Sequence, residues 1–585
     1  MSNTIGFSNF RRFANFPEIN LGNITILVGG NNSGKSTIVK ALLLCVDNLL
    51  LMRISDRRRS ESKSPLALSM PIFRFDANEY HDVKIKEFAR AIHNKPVEDN
   101  DIINALKEIK RKSLPSTMTF KFTLGQFRFT FVVSGNRDDR STTGDVERIA
   151  IEDTKSHVRY TNDYKGHSLS YEVINTDFEE QITLTKKLLK DYRDAKSALD
   201  KANEDGDLEA ITSMTASLDK VKMQINSMLN RDKEGEELSD NELVKILKDN
   251  LFKKNETKVA YFDLPFSVSI NEVNEPVVLN VISNIHNFAT TNGVAPKGEG
   301  KDPNEYGADM QHFMILERYR EAMRQDEHIF IQSRRDLNTL LKQIKIEYIS
   351  AHAANQNTIY NTADLNDYIA QTVHGFWREK IAPGDREYEF VREWMQRFEI
   401  GIDFKIDALV PGEAYTVSIT EESGSIVPLA DKGMGSIQMM ILLLRLATIL
   451  FKYKPNSTEE FYDWVSPIIV IEEPEQNLHP KMQSFLADLF YQLARCENMK
   501  MLIETHSEYL IRKSQVIVSE ENFADEEDLN DNNQFMVYYL PNDDTVPYKM
   551  QYTISGRFAN KFGEGFFDEA GKANLITLRK EKGLK

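Results

Sequence analysis

Short apolar runs separated by polar turns predict the strands and helices of an α/β protein. The run Ile24–Val28 is apolar, rich in β-branched residues and followed by two glycines, which predicts a buried parallel strand. From Ser36 to Val46 the apolar residues recur in a helical pattern. A strand, a glycine turn and a helix in this order are typical of α/β units that bind phosphate.

A two-residue period predicts an antiparallel β layer in the first third of the chain. Phenylalanines alternate with polar residues through Thr117–Phe131 on both sides of Gly125–Gln126, which indicates a β-hairpin. The stretch Ser168–Ile174 alternates in the same way. Nearer the C-terminus, Phe404–Ile419 predicts a short β region and Phe535–Leu540 a further strand.

The middle of the chain is predicted to be largely helical. Apolar residues recur every three or four positions through Glu180–Asn230 around the polar turn Asn203–Asp207, which predicts a helical hairpin with arms of roughly 30 Å. The polar segment Ala289–Asp309 predicts a mobile loop or boundary, and helices are expected from there to about Phe398. We therefore divide the chain into residues 1–180, 181–325 and 326–585.

Composition narrows the possible function classes. The 585 residues include 73 basic and 89 acidic side chains, and the net charge of −16 argues against a protein that coats nucleic acid without a local basic patch. Two cysteines exclude a disulfide scaffold and a cysteine-based zinc site. No apolar run approaches the roughly 18 to 20 residues that a membrane-spanning helix requires. The N-terminus resembles no export signal, so we expect a cytoplasmic protein without a membrane partner.

The segment Gly29–Thr37 fits the sequence pattern of a phosphate-binding P-loop. Its glycines allow backbone amides to surround phosphate oxygens, and the following helix adds positive charge at its N-terminus. Lys35 would neutralise phosphate, and the Ser36 hydroxyl would bind Mg²⁺. The residues predicted to bind ATP here are Gly29, Asn31, Asn32, Ser33, Gly34, Lys35, Ser36 and Thr37.

Two later strands end in residues suited to nucleotide hydrolysis. The apolar run Ile468–Ile471 leads into Glu472 and Glu473. A nucleoside triphosphatase needs one carboxylate for the Mg²⁺ shell and one to orient the attacking water, so we assign Glu472 to the metal and Glu473 to the water. The strand Met501–Thr505 ends at His506, whose imidazole can contact the γ-phosphate or serve only in packing.

A glycine-rich turn before the acidic strand is a further candidate anion site. Gly433, Gly435 and Ser436 lead into an apolar helix predicted from Met439, and Lys432 adds positive charge. A simple helix cap explains the same residues, so both interpretations stay open at this point.

These motifs resemble those of the ABC-type ATPase heads of the SMC, Rad50 and overcoming-lysogenization-defect group. The segment Glu472–Pro480 is similar to the last of these branches, and its Asn477–Pro480 part resembles a D-loop. Gly433, Gly435, Ser436 and Gln438 resemble the signature turn of the family. Asn9–Phe13 resembles the first strand of the family. The family's Q-loop glutamine is not evident, and Gln126 is a candidate.

The resemblance implies a particular architecture and mode of ATP binding. We expect an α/β P-loop ABC-type head with a parallel core sheet, an antiparallel β layer, an inserted helical hairpin and a helical lid. Residues 1–180 and 326–585 would form the two halves of this head, and residues 181–325 the insertion. Two heads would enclose ATP and Mg²⁺, with Ser436 of one head reaching the γ-phosphate held by the other.

The resemblance also implies a biological role. The segment after His506 contains one acidic cluster, Asp525–Asp528, which is typical of a solvated loop, so no nuclease domain is expected. A head of this kind most resembles the ATPases of Septu-type anti-phage systems, including those attached to retrons, and next the ATPase of the PARIS system. The resemblance implies an ATPase scaffold that regulates a separately encoded nuclease effector.

The alternative from a different class is a DNA-repair ATPase of the Rad50 or RecF type that clamps DNA. Basic clusters at Arg53–Arg59 and Lys107–Lys112 would suit it, although such clusters more often form a solvated face. A transporter subunit is a third interpretation. The expected partners are a second copy, a nuclease effector and nucleic acid, either DNA or retron-derived RNA–DNA, with Glu180–Asn230 as the first candidate docking surface or, equally, an internal brace.

Overall fold

The computed structural model describes most of both halves of the chain and little of its middle. The described residues are 3–54, 70–76, 85–95, 97–98, 112–138, 140–166, 168–173, 195–199, 214–215, 218, 260–263, 276–290, 324, 326–350, 357–363, 367–453, 467–497, 499–542, 546–563 and 566–567. Within the predicted hairpin, residues 195–199 are helical, and most of the hairpin lies outside this set. So do the predicted loop beyond Thr290 and nearly all of both basic clusters.

Strands and helices are numbered along the chain. The strands are β1 Asn3–Phe10, β2 Phe13–Leu21, β3 Ile24–Gly29, β4 Arg53–Ile54, β5 Pro71–Arg74, β6 Val97–Glu98, β7 Lys112–Ser113, β8 Thr117–Leu124, β9 Phe127–Ser134, β10 Thr143–Asp153, β11 Val158–Asp163, β12 Ser168–Val173, β13 Ala260–Asp263, β14 Ile346–Ile349, β15 Tyr360–Asn361, β16 Asp403–Val410, β17 Ala414–Thr420, β18 Ile426–Pro428, β19 Ile468–Glu472, β20 Lys500–Thr505, β21 Phe535–Leu540 and β22 Tyr548–Met550. The helices are α1 Lys35–Leu51, α2 Phe88–Ala91, α3 Val277–Thr290, α4 Glu327–Gln343, α5 Tyr368–Arg378, α6 Arg386–Arg397, α7 Met434–Lys452, α8 Pro480–Glu497, α9 Glu508–Glu520 and α10 Glu526–Asn532.

The core sheet joins strands from the two ends of the chain. Its order is β14-β19-β20-β3-β21-β22, and all neighbours are parallel except β21 and β22. The P-loop strand β3 therefore lies between two strands that come more than 470 residues later, at Lys500–Thr505 and Phe535–Leu540. Side chains alternate along a strand, so Ile26 packs in one core while its neighbour Leu27 packs in the other.

A large antiparallel sheet covers one side of the molecule. Its strands follow the order β13-β12-β11-β10-β9-β8-β1-β2, and α1 packs in the same hydrophobic core. The predicted hairpin is confirmed as β8 and β9, with Leu124 opposite Phe127, and Phe122 stacks on Phe129 at 5.1 Å. The predicted strands at Phe404–Ile419 and Phe535–Leu540 are also present, as β16, β17 and β21.

The segment Asn9–Phe13, which resembles a first strand, includes the end of the first strand β1, the turn Arg11–Arg12 and the first residue of β2. β1 and β2 pair antiparallel, with Phe10 opposite Phe13. Arg11 has a positive φ of 50°, which reverses the chain direction. This turn places Arg12 and Phe13 beside the P-loop.

Helix α7 is longer than the sequence suggested. It begins at Met434 rather than Met439 and runs to Lys452. Within the described residues it is the one helix whose length and composition would allow it to cross a membrane, so the expectation that no apolar run reaches that length is wrong. In this fold α7 is a core helix, because most of its side chains are buried against α5, α6 and the core sheet.

Candidate nucleotide site

The P-loop is a strained turn at the carboxyl end of β3. Asn32 and Gly34 adopt left-handed backbone conformations, with φ of 62° and 102°, and the Ser33 N–H donates to the Gly30 carbonyl at 3.2 Å. A Cβ atom at Gly34 would lie 2.5 Å from a ring carbon of Phe13. Glycine is therefore required there both by φ and by the neighbouring ring. Helix α1 begins at the next residue, so its N-terminus faces the turn.

Lys35 is held inside the P-loop. Its side chain is almost fully buried, and Nζ donates to the carbonyl oxygens of Gly29 at 3.0 Å and Gly30 at 3.1 Å. Burial lowers the pKa of Lys35, and the nearby carboxylates of Glu504 and Glu473 oppose that shift. An ammonium group bound only to carbonyl oxygens can exchange them for phosphate oxygens without breaking an ion pair.

The carboxylate that contacts the P-loop serine comes from β20 and not from the predicted pair. The Ser36 hydroxyl donates to Glu504 Oε1 at 2.8 Å. Glu504 is the register partner of Glu472 on β19, so both side chains leave the same face of the sheet. Glu472 in turn accepts a 2.8 Å hydrogen bond from the Tyr348 hydroxyl. The site therefore contains one more carboxylate than the sequence motifs indicated.

Burial dominates the electrostatics of Glu504. It raises the pKa of the Glu504 carboxyl to about 7; the Ser36 hydrogen bond lowers this pKa and the charge of Glu472 raises it. The second oxygen, Oε2, is buried and has no hydrogen-bond partner in the described part of the chain. A glutamate inside the apolar strand Met501–Thr505 was the sequence signal for this residue, but P-loop motifs assign it no role.

Glu473 and His506 lie together at the carboxyl ends of the neighbouring strands β19 and β20. Glu473 has a positive φ of 42°, and its backbone N–H donates to the Glu504 carbonyl at 2.7 Å. Its Oε1 lies 3.7 Å from His506 Nε2, and Gln476 donates to its other oxygen. Burial and then Lys35 lower the pKa of His506, while Glu473 opposes them. The imidazole therefore favours its neutral form at pH 7.

A buried carboxylate fixes the position of His506. Glu475 Oε1 accepts the backbone N–H of His506 at 2.6 Å, and burial raises the pKa of this carboxyl group. The next residue, Ser507, caps α9 by accepting the Leu510 N–H at 3.1 Å. The predicted phosphate-sensing strand thus continues directly into a helix.

The predicted signature turn contacts the D-loop-like segment. Gly433 precedes α7 as its N-cap, without a side-chain capping bond. A Cβ atom at Gly435 would lie 2.5 Å from the Asn477 carbonyl oxygen, and the Asn477 side chain donates to Gln438 at 3.1 Å. The two motifs therefore form one surface.

Lys432 is paired within the chain, whereas the glycine-rich turn after it makes no hydrogen bond to the P-loop among the described residues. Lys432 Nζ is 2.7 Å from Glu421 Oε1, so its positive charge is paired within the chain. Among the described residues, no hydrogen bond joins Gly433, Gly435 or Ser436 to the P-loop of the same chain. The turn is thus left for another contact.

Gln126 is not placed to act as a Q-loop residue. It lies in the turn between β8 and β9, where its side chain donates to Asp153 at 3.2 Å and Asp336 at 3.3 Å. The same turn contacts Asn3 at the start of β1, whereas the P-loop contacts Phe13 beyond the end of that strand. The length of β1 separates them.

Arg12 and Asn542 frame the P-loop and were not predicted. The Arg12 guanidinium donates to the carbonyl oxygens of Asn32 and, at 3.1 Å, Asn542. A Cβ atom at Gly30 would lie 2.4 Å from the Asn542 side chain. No sequence motif indicates the contacts of Asn542, because its partners Arg12 and Gly30 lie more than 500 positions earlier in the chain.

The acidic cluster Asp525–Asp528 serves as a helix cap. Asp525 accepts the backbone N–H of Asp528 at 2.9 Å at the start of α10. Asp528 accepts the Ala524 N–H at 2.8 Å. These acidic side chains are explained by local backbone hydrogen bonds.

The oxygen atoms beside the P-loop fit Mg²⁺ bound with a nucleotide. Within the described residues there is no ready-made cluster of three or more His, Cys, Asp or Glu ligands. Mg²⁺ in nucleotide sites uses one or two carboxylates, phosphate oxygens and water. Ser36, Glu472 and the unpaired oxygen of Glu504 supply protein oxygens of this kind.

The sequence matches the AAA_15 family, described as an AAA ATPase domain, over residues 1–511. The chain belongs to this ATPase family. The match and the sheets confirm the expected fold class, an α/β P-loop ATPase head, and support ATP binding and ATPase activity. No curated protein matches the sequence significantly.

Several solved structures of SMC heads also align with this ATPase. The SMC head domain of Thermotoga maritima is 10% identical with a TM-score of 0.30, covering 94% of this chain and 98% of that chain. The Pyrococcus furiosus Smc head with an extended coiled coil, bound to the C-terminal domain of ScpA, is 10% identical with a TM-score of 0.28 and covers 99% of both chains. At such scores the family assignment rests on the sequence match and the site.

Proposed function

We propose that this ATPase is a subunit of a bacterial anti-phage complex, in which it is the scaffold and nucleotide-controlled regulator of a separately encoded nuclease effector. The observation that carries the proposal is the short chain connection between the site and a half-exposed helix. Glu473 lies beside His506, the next residue Ser507 is the N-cap of α9, and Tyr509 and Val516 of α9 are exposed. A change in the phosphate held near His506 would bear directly on this helix. Such a link is what a nucleotide-controlled regulator needs.

The proposed roles follow the geometry of the site. The backbone of Gly29–Thr37 and Lys35 bind the phosphates, and Ser36 with Glu472 holds Mg²⁺. Glu473 orients the attacking water, and His506 contacts the γ-phosphate. Mg²⁺, when bound with ATP, supplies positive charge to the phosphate oxygens.

A second copy of the chain would complete this site. The signature turn makes no hydrogen bond to its own P-loop among the described residues, and a Cβ atom at Gly433 would have no neighbour within 4 Å. The turn thus has room for a ligand from outside the chain. We propose that Gly433, Gly435 and Ser436 face the ATP held by the partner head.

Charge supports an effector regulator over a DNA clamp. The net charge of −16 disfavours direct binding to the phosphate backbone. In the acidic cluster Asp525–Asp528, the side chains of Asp525 and Asp528 accept backbone hydrogen bonds at the start of α10. Nuclease chemistry is therefore assigned to the partner.

Purification with its genomic neighbours tests the proposed function. The tagged chain, expressed together with those genes, should retain a nuclease through size-exclusion chromatography. The retained nuclease should respond to ATP with the wild-type chain. With the Lys35→Ala chain, the activity of the retained nuclease should not change when ATP is added. With the Glu473→Gln chain, ATP should change that activity and the change should persist, because the ATP is not hydrolysed.

Two results would contradict the proposal. Nucleic-acid cleavage by the purified chain alone, above the Glu473→Gln control, would place the nuclease in this chain. Salt-sensitive, ATP-dependent DNA binding without any retained nuclease would favour the repair clamp.

A further inference from the structure

The order of strands in the core sheet places the Glu504 carboxylate beside Ser36, the P-loop residue expected to bind Mg²⁺. β20 lies between β3 and β19, so its side chains are one strand closer to the P-loop than those of β19. Glu504, on β20, contacts the Ser36 hydroxyl at 2.8 Å. Glu472, on β19, is bound to Tyr348 instead.

The Glu504 carboxylate is buried, and one of its two oxygens lacks a hydrogen-bond partner among the described residues. Its side chain is 4% exposed, and Oε2 has no hydrogen-bond partner in the described part of the chain. A buried carboxylate oxygen without a partner is costly, and a bound cation or its water removes that cost. The unpaired oxygen belongs to the same carboxylate that holds Ser36.

No basic group within the described residues is paired with Glu504. The Lys35 ammonium group attracts the Glu504 carboxylate through space, which lowers the Glu504 pKa, but its Nζ donates to the Gly29 and Gly30 carbonyl oxygens. None of the described ion pairs includes Glu504. Its carboxyl oxygen Oε2 is therefore available to a cation that arrives with the nucleotide.

We propose that Glu504 belongs to the Mg²⁺ site, beside Ser36 and Glu472, and that its negative charge helps to hold the cation. This inference rests on the proposed binding of Mg²⁺ and ATP at the P-loop, and it does not depend on the effector. Strand β20 would then contribute to the site twice: Glu504 would bind the metal, and His506, which follows the strand, would contact the γ-phosphate.

Metal affinity, measured apart from turnover, tests this role. Mn²⁺ binding in the presence of a non-hydrolysable ATP analogue is followed by electron paramagnetic resonance. Glu504→Gln keeps the side-chain length and an acceptor for Ser36 but removes the charge. It should raise the Mn²⁺ dissociation constant about tenfold or more. Binding of the analogue in EDTA should be unchanged.

A matched substitution controls for the loss of a buried glutamate. Glu387, at the start of α6, is 2% exposed and lies outside the site. Glu387→Gln should leave both Mn²⁺ binding and analogue binding at wild-type values. Melting curves of both variants verify that they are folded.

A second variant separates charge from hydrogen bonding. Glu504→Ala removes both and should weaken Mn²⁺ binding at least as much as Glu504→Gln. Wild-type Mn²⁺ affinity in folded Glu504→Gln would overturn the proposal. If Glu504→Ala alone bound Mn²⁺ weakly, Glu504 would only orient the Ser36 hydroxyl, and the proposal would also be overturned. Failure of the wild type to bind the analogue would instead refute the P-loop assignment itself.

Discussion

At the scale of single residues, Glu473 and Lys35 separate hydrolysis from binding. Glu473 lies 3.7 Å from His506 and does not contact Ser36. Glu473→Gln should reduce kcat by about 100-fold to 10,000-fold, the usual contribution of a general base. The dissociation constant for ATP should change little, as measured by fluorescent-nucleotide titration beside a phosphate-release assay. Unchanged hydrolysis would remove Glu473 from its role.

Lys35 should instead control binding. Its ammonium group lies on the P-loop carbonyls, where phosphate oxygens would replace them. Lys35→Ala should weaken ATP binding and reduce hydrolysis about 100-fold or more, because a preorganised charge at the phosphates is lost. The same titration checks this, with Lys342→Ala on α4 as the control, and wild-type affinity in Lys35→Ala would contradict the site.

Glu504 should make the stability of the nucleotide-free protein depend on pH. Its pKa is raised to about 7 from the 4.5 of an ordinary glutamate, so the folded state holds the proton longer than the unfolded chain. The stability from this group is full below pH 4.5 and is lost as the pH rises through about 7. Relative to Glu504→Gln, the wild type should lose on the order of 2 kcal/mol of unfolding free energy between about pH 5.5 and 8.

Urea unfolding of both proteins at the two pH values measures this difference. The metal is omitted, because a bound cation would favour the charged carboxylate. A wild-type protein that gains stability relative to Glu504→Gln as the pH rises would show that the carboxyl group is not raised in pKa.

At the scale of elements, the contact between α7 and the D-loop-like segment requires glycine at position 435. A Cβ atom at Gly435 would lie 2.5 Å from the Asn477 carbonyl oxygen, whereas one at Gly433 would meet nothing within 4 Å. Gly435→Ala should therefore destabilise the protein by about 1–3 kcal/mol, as overpacking usually does. Gly433→Ala is the matched control, and denaturant unfolding should show no comparable loss. Equal stability of the two variants would contradict the close packing.

Local patterns predicted elements better than they predicted neighbours. The phenylalanine alternation gave β8 and β9, and the run Phe535–Leu540 gave β21, because each is a local signal of burial. The contact between Arg12 and Asn542 spans most of the chain and leaves no local pattern. Glu504 was missed for the same reason: its importance depends on β20 lying next to β3. The assignment of Gln126 to the Q-loop was wrong because the sequence around a turn does not show at which end of the sheet the turn lies.

At the scale of the whole molecule, ATP should bring two chains together. The partly exposed signature turn predicts that Glu473→Gln, which retains ATP, forms a dimer in the presence of ATP and Mg²⁺. Multi-angle light scattering should show a mass near twice the 67.3 kDa of the chain. Ser436→Arg should prevent this by steric conflict and charge, while nucleotide binding by the single chain is retained. A Ser436→Arg protein that dimerises equally well would place the interface elsewhere.

The strand order of the core sheet also sets when the ATP site can exist during synthesis. β3 is made first, but its two neighbours are β20 and β21, which end at Thr505 and Leu540. A ribosome that adds about 5–20 residues per second leaves the P-loop strand unpaired while it makes the intervening chain. A fragment that ends before Leu540 therefore lacks part of the sheet that supports the P-loop. Termination before β21 should thus yield no ATP-competent head, and nucleotide binding reports that synthesis has passed Leu540.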